Sequence, residues 1–156
     1  MYQIYSGEGI TDYIEGLYEK RSDEEEFTRE YINNMYKFYE YGVWVVCLKK
    51  NDEIIGRAGL SNREVDGENK LELGYVIGKP YQKQYYAYEA CLAICEYAKD
   101  KLYKSELVCF IEKENYNSIK LAEKLGFKYK QDIFADENGM EKAYAYYEKD
   151  LKDSLY

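Results

Sequence analysis

The sequence predicts a mixed α/β domain, a β-sheet with helices on its faces, in the order β-α-α-β-β-β-α-β-α-β-β. Three observations carry that expectation. Between residues 43 and 77, apolar runs rich in β-branched residues follow one another across short polar turns. After Pro80 the apolar spacing becomes helical, through Ala87, Ala90, Cys91, Ile94, Cys95, Ala98 and Leu102. A strand at 107–111 then completes a βαβ unit with the strand at 71–77, and strands joined by such a crossover run parallel.

The remaining elements follow from local signals. Residues 1–6 alternate enough for a short strand. Thr11 is an N-cap candidate for a short helix carrying Ile14, Leu17 and Tyr18. Ser22-Asp23-Glu24-Glu25 reads as a capping box, with acidic residues at the positive end of a helix dipole. The helix it opens places Phe27, Tyr31, Met35 and Phe38 on one side, and Gly42 ends that region. Strands are expected at 43–48, at 53–60 across the Asn51-Asp52 turn, and at 71–77 after the Asp66-Gly67 loop, as an antiparallel meander. Residues 115–125 read as a helix burying Ile119, Ala122 and Leu125, with Gly126 at C′. A hairpin closes the chain, turning at residues 136–139. With no repeat, low-complexity tract or linker, residues 1–156 read as a single domain.

Composition excludes several functions. The net charge of −8 argues against nucleic acid, whose phosphates need a basic face. No apolar run approaches the ~20 residues that cross a bilayer, so no membrane partner is expected. The first residues lack the features of an export signal, and a cytoplasmic location is expected. Cys47, Cys91, Cys95 and Cys109 lie in apolar stretches and read as small buried hydrophobes in a reducing compartment. Cys91 and Cys95 share a helix face, but a structural zinc takes four ligands and the chain has no histidine, so no metal is expected. The missing histidine also removes Ser-His-Asp and Cys-His machinery. A general base must then be a carboxylate, a tyrosine, a lysine or a water. Many of the 21 tyrosines read as half-buried residues at the core edge. Tyr144, Tyr146 and Tyr147, read as exposed on the closing strands, would allow a homodimer.

A parallel βα junction brings backbone N–H groups and a helix dipole to one place, an anion site in waiting. Here that junction is Gly78 to Ala87, with two lysines and no acid before Glu89. An ordinary strand-to-helix loop is the competing reading. The runs Glu72-Leu73-Gly74-Tyr75-Val76-Ile77-Gly78, Pro80-Tyr81-Gln82, Tyr86-Ala87 and Glu89-Ala90 resemble the acetyl-CoA motif of the GNAT N-acetyltransferase superfamily. They are most similar to the branch of ribosomal-protein alanine N-acetyltransferases. Glu114-Asn115-Tyr116-Asn117-Ser118-Ile119 and Glu123-Lys124-Leu125-Gly126-Phe127 resemble its second motif, while Trp44 and residues 54–60 resemble its central strands.

The resemblance implies a fold, a co-substrate and roles. Acetyl-CoA would lie in a splay opened by a bulge near Tyr75, Val76 and Ile77. Its pyrophosphate would be cradled by Gln82, Lys83, Gln84, Tyr85, Tyr86 and Ala87. Asn115 would contact the pantetheine arm, and Ser118 would lie near the sulfur. Tyr85 occupies the family's glycine position, and Lys83 a position that is often glycine; glycine suits close approach to phosphate and positive φ. Ala122 replaces a tyrosine that in many relatives protonates the leaving thiolate, so Ser118 or a water would serve. Glu72, on the central strand, is the candidate base, its alternative being a plain strand carboxylate. Two readings remain open. One is an enzyme acetylating a primary amine, on a protein N-terminus or a small molecule, with the acceptor chosen by the first two helices and the closing hairpin. The other is a binding module whose phosphate loop no longer supports turnover.

Overall fold

The computed structural model describes residues 1–65, 67–137 and 140–152, so Asp66, Asn138 and Gly139 of the expected turns lie outside the described residues. The meander forms as expected. Strand β1 (Val43–Cys47) pairs antiparallel with β2 (Ile54–Val65), and β2 pairs with β3 (Glu68–Ile77) in unbroken register from Gly56↔Ile77 to Val65↔Glu68. Gly59 has a steric reason: a Cβ there would stand 2.1 Å from the Gly42 carbonyl oxygen, which accepts from Leu60 N–H at 3.0 Å. The helix expected after Pro80 is α4 (Tyr86–Asp100), which buries Cys91, Ile94, Cys95 and Ala98 at helical spacing against β2 and β3. It leads to β4 (Glu106–Glu112), parallel to β3 as the crossover requires.

Helix α5 (Tyr116–Lys124) follows, with Asn115 as N-cap accepting from Ser118 N–H at 3.2 Å. Gly126 takes a φ of +88° just beyond it. The closing hairpin is β5 (Lys128–Glu137) and β6 (Met140–Asp150), giving a sheet ordered β1-β2-β3-β4-β6-β5. Since β6 lies inside the sheet and β5 at its edge, Tyr144, Tyr146 and Tyr147 are buried, not exposed. The homodimer that exposed tyrosines would allow loses its basis in these three residues.

The N-terminal region departs from expectation. Residues 2–5 form a helical turn, α1 (Tyr2–Tyr5), in place of a strand. Met1, Ile4 and Tyr5 recur at helical spacing and pack with Ile10 and Val76, so period 3–4 wins over period 2. No helix spans 11–18. Gly7, Gly9 at φ +73° and Gly16 interrupt the segment, and Ile14 and Leu17 reach the same cluster from irregular backbone. The next helix, α2 (Arg21–Tyr31), begins before Ser22 with Lys20 as N-cap, so the expected box is absent. Glu24 reaches back instead to accept from Tyr18 N–H at 3.1 Å. Phe27 and Phe38, expected on one side with Tyr31 and Met35, are exposed.

A π turn (Ile32–Tyr36) joins α2 to α3 (Lys37–Tyr39). Residues five apart lie about 140° apart around an α-helix, whereas a π turn stacks them. Here it brings Tyr31 and Tyr36 edge to face, 5.8 Å between centroids. Their hydroxyls serve the two polar groups of Val43: Tyr31 accepts from its N–H, and Tyr36 donates to its carbonyl. These tyrosines thereby close an edge strand. Of the cysteines, Cys91, Cys95 and Cys109 are buried as expected; Cys47, at the end of edge strand β1, is exposed.

Candidate active site

The site begins where the sheet opens. β4 pairs with β6 along its whole length, and β3 stays with β2, yet β3 and β4 meet at a single register position, Glu72↔Val108. The expected bulge is absent, since the β2–β3 register is unbroken; the strands part because each keeps its other neighbour. Gly78 N–H points to β2, donating to the Ile55 carbonyl at 2.8 Å. Strand alternation therefore turns the amides of Tyr75 and Ile77 toward the gap.

Two cavities flank this gap. The first, about 630 Å³, is lined by Tyr75, Val76, Ile77, Gln82, Lys83, Tyr85, Tyr86, Ala87, Asn115 and Ser118, all predicted cofactor residues. Gln84 alone of that set is not on its wall; its amide donates to the Pro80 carbonyl at 2.8 Å. Gln82 ties the loop to the strand end, donating to the Ile77 carbonyl at 2.9 Å. Lys83 and Tyr85 take φ values of +60° and +68°, the glycine-like conformation, despite their side chains. Tyr85 manages this with its ring outward, 68% exposed, and the Lys124 ammonium 4.3 Å from the ring centroid. The first-turn amides of α4 have no helical acceptor and open beside this loop. Lys79, Lys83, Lys120 and Lys124 line the same groove against only Glu8 and Asp12, and among the described residues none of the four is in an ion pair. On a chain of net charge −8 this is a local cationic channel.

The second cavity, about 490 Å³, has Glu72 on its wall, with Arg63, Phe110, Glu112, Lys142 and Tyr144. Burial pushes the Glu72 carboxyl above the ordinary carboxylate range, while the Arg63 guanidinium at 3.7 Å and the Phe110 N–H pull it back. Glu112 is paired with Lys142 at 2.9 Å. Cys91 and Cys109 are also on this wall; burial pushes the Cys91 thiol up to about 12 and Cys109 well above its usual value.

The cavities meet at Tyr75, Asn115, Ser118 and Leu121, under a roof of Asp12, Tyr13 and Ile14. Tyr13 spans to the α5 side, donating to the Glu114 carbonyl at 3.4 Å. Tyr75 Oη and Ser118 Oγ are 3.1 Å apart, and burial raises the Tyr75 phenol to about 12. Sequence reasoning missed the roof, Arg63, and the lysines of α5. Asn117, Lys120, Leu121 and Lys124 recur at i, i+3, i+4 and i+7, a face that could have been read.

Comparison with known proteins gives the family and the fold. The family profile described as an acetyltransferase (GNAT) domain matches residues 1–128. The uncharacterized protein YkkB of Bacillus subtilis is 28% identical over 133 residues, 83% of this chain and 74% of YkkB. Among solved structures, a GNAT-family acetyltransferase of Bacillus anthracis superposes with a TM-score of 0.77 at 21% identity, over 98% of this chain and 88% of its own. The yncA protein of Salmonella typhimurium, solved with its cofactor acetyl-CoA, superposes with a TM-score of 0.67 at 20% identity, over 86% and 77%. The mixed sheet and its helices are the fold these proteins share.

Proposed function

We propose that this chain, which belongs to the GNAT acetyltransferase family, is one domain over residues 1–156 that moves an acetyl group from acetyl-CoA to a primary amine by direct attack in a ternary complex. The observation that carries the reading is the junction at Tyr75 and Ser118 between a cationic groove and a cavity with a buried carboxylate. The groove residues fit acetyl-CoA: unpaired lysines for its phosphates, and a loop already shaped for close backbone approach. When bound, the co-substrate supplies a thioester whose acetyl carbon the amine attacks. Lys79, Lys83, Lys120, Lys124 and the amides of Tyr86 and Ala87 hold the anionic end, and Asn115 fixes the start of α5. The gap-facing Tyr75 amide is placed to polarise a carbonyl. Glu72 takes the amine proton, directly or through a water; burial raises its pKa and so makes it a stronger base than an exposed carboxylate. Ser118 Oγ holds a proton for the departing sulfur, with Tyr75 Oη beside it for resupply.

Cys91 and Cys109 stay protonated and so are poor nucleophiles, which supports direct attack over a cysteine-bound intermediate. The binding-module alternative drew its support from Tyr85, and the loop's glycine-like backbone weighs against it. The four unpaired cysteines fit a reducing compartment, the cytoplasm in this reading. The test is release of free CoA thiol from acetyl-CoA across a panel of primary amines. Amine-dependent release is expected. No release with any amine, in protein that binds acetyl-CoA, would overturn the reading.

A further inference from the structure

We propose that Arg63 binds a carboxylate on the acceptor, which makes the acceptor a free α-amino acid; this rests on the acetyltransferase reading above. Arg63 stands on β2 and lines the acceptor cavity, its side chain 38% exposed. Its guanidinium lies 4.6 Å from the Phe110 ring centroid and 5.9 Å from that of Tyr144, so the planar group rests against two aromatic rings that restrict its position. A guanidinium carries five N–H donors. Among the described residues, Arg63 has one carboxylate partner, Glu72 at 3.7 Å, too far for a hydrogen bond, and its side chain donates to no acceptor. A cation in a loose ion pair, with N–H donors that meet no protein acceptor among the described residues, suits an anion that arrives with the ligand.

The surrounding charges narrow that ligand. Glu112 is satisfied by Lys142, and Asp12 and Glu15 are exposed where the cavity opens. Two cation–carboxylate pairs thus line the cavity, and Arg63–Glu72 at 3.7 Å is the looser, beyond hydrogen-bond distance, where Lys142–Glu112 is closed at 2.9 Å. An α-amino acid carries the complementary pair, with ammonium and carboxylate about 3 Å apart by bond lengths. Glu72 receives the ammonium and takes its proton, while Arg63 holds the carboxylate still. A linear polyamine brings the guanidinium no anion, and a peptide N-terminus brings only a neutral amide carbonyl, a weaker acceptor.

The experiment compares glycine, leucine and phenylalanine, each with its own carboxamide, as acceptors for the wild type and Arg63→Met. Rates are corrected for the fraction of free amine. Wild type is expected to favour the acids by about ten- to a hundredfold in kcat/KM, mainly through KM, as a charge-assisted pair would give. In Arg63→Met the acid-to-amide ratio should collapse toward one. A changed basicity of Glu72 would move both members of a pair together, so the ratio isolates the carboxylate contact. Carboxamides accepted as well as the acids, or a ratio unchanged in the variant, would overturn the proposal. So would transfer to simple alkylamines but to none of the acids, an outcome that leaves the acetyltransferase reading standing. If no amine is acetylated, that broader reading fails. Calorimetric binding of the same pairs to the wild-type protein–CoA complex then decides this proposal without turnover, preference for the acids supporting it and equal binding overturning it.

Discussion

The groove and the acceptor cavity share Tyr75 and Ser118 but handle charge in opposite ways. The groove is built mostly from one stretch, residues 75–88, and one face of α5, and its four lysines have no ion-pair partners among the described residues. The cavity draws Arg63, Glu72, Glu112 and Lys142 from β2, β3, β4 and β6, and pairs each cation with a carboxylate. Unpaired cations attract any polyanion and fall off with salt. Paired charges attract little at a distance and select by position. A ligand handle common to a whole family suits the first device, and a particular acceptor suits the second.

If that division holds, damage on one side should spare the other. The largest effect is expected from Glu72→Gln: kcat lower by about a hundredfold or more, the usual worth of a positioned base, with acetyl-CoA affinity intact. The wild-type rate should fall as pH drops through a value above the ordinary carboxylate range, because only the ionised carboxylate accepts a proton and burial raises its pKa. That acid limb should vanish in the variant. A parallel loss of acetyl-CoA affinity would break the division.

A smaller effect sharpens the groove side. Tyr85 at φ +68° occupies a costly conformation for a side-chain residue, and Lys124 over its ring helps to hold it. Lys124→Met should weaken acetyl-CoA binding by a few-fold. The same change in a Tyr85→Gly background should cost about two- to fivefold less, since glycine needs no such clamp. Equal losses in both backgrounds would show that Lys124 acts only as a charge.

The two regions also differ in how much the sequence disclosed. The groove was legible because its loop is contiguous and its helix start follows a strand; even the substitutions at Lys83 and Tyr85 marked where φ would be positive. The βαβ unit and the meander were legible for the same reason, since their periodicity is local. The acceptor cavity was not, apart from Glu72. Its members meet only through sheet order, and β6 entering between β4 and β5 brings Lys142 and Tyr144 to the wall. The roof was misread because Ile10, Ile14 and Leu17 keep helical spacing while the glycines around them release the backbone.

Acetyl-CoA binding in the groove is tested most directly by titrating acetyl-CoA into the purified protein by calorimetry. Micromolar binding that weakens as salt is raised is the predicted result. No heat of binding at millimolar acetyl-CoA and low salt would contradict it, leaving the lysine-lined groove without its ligand.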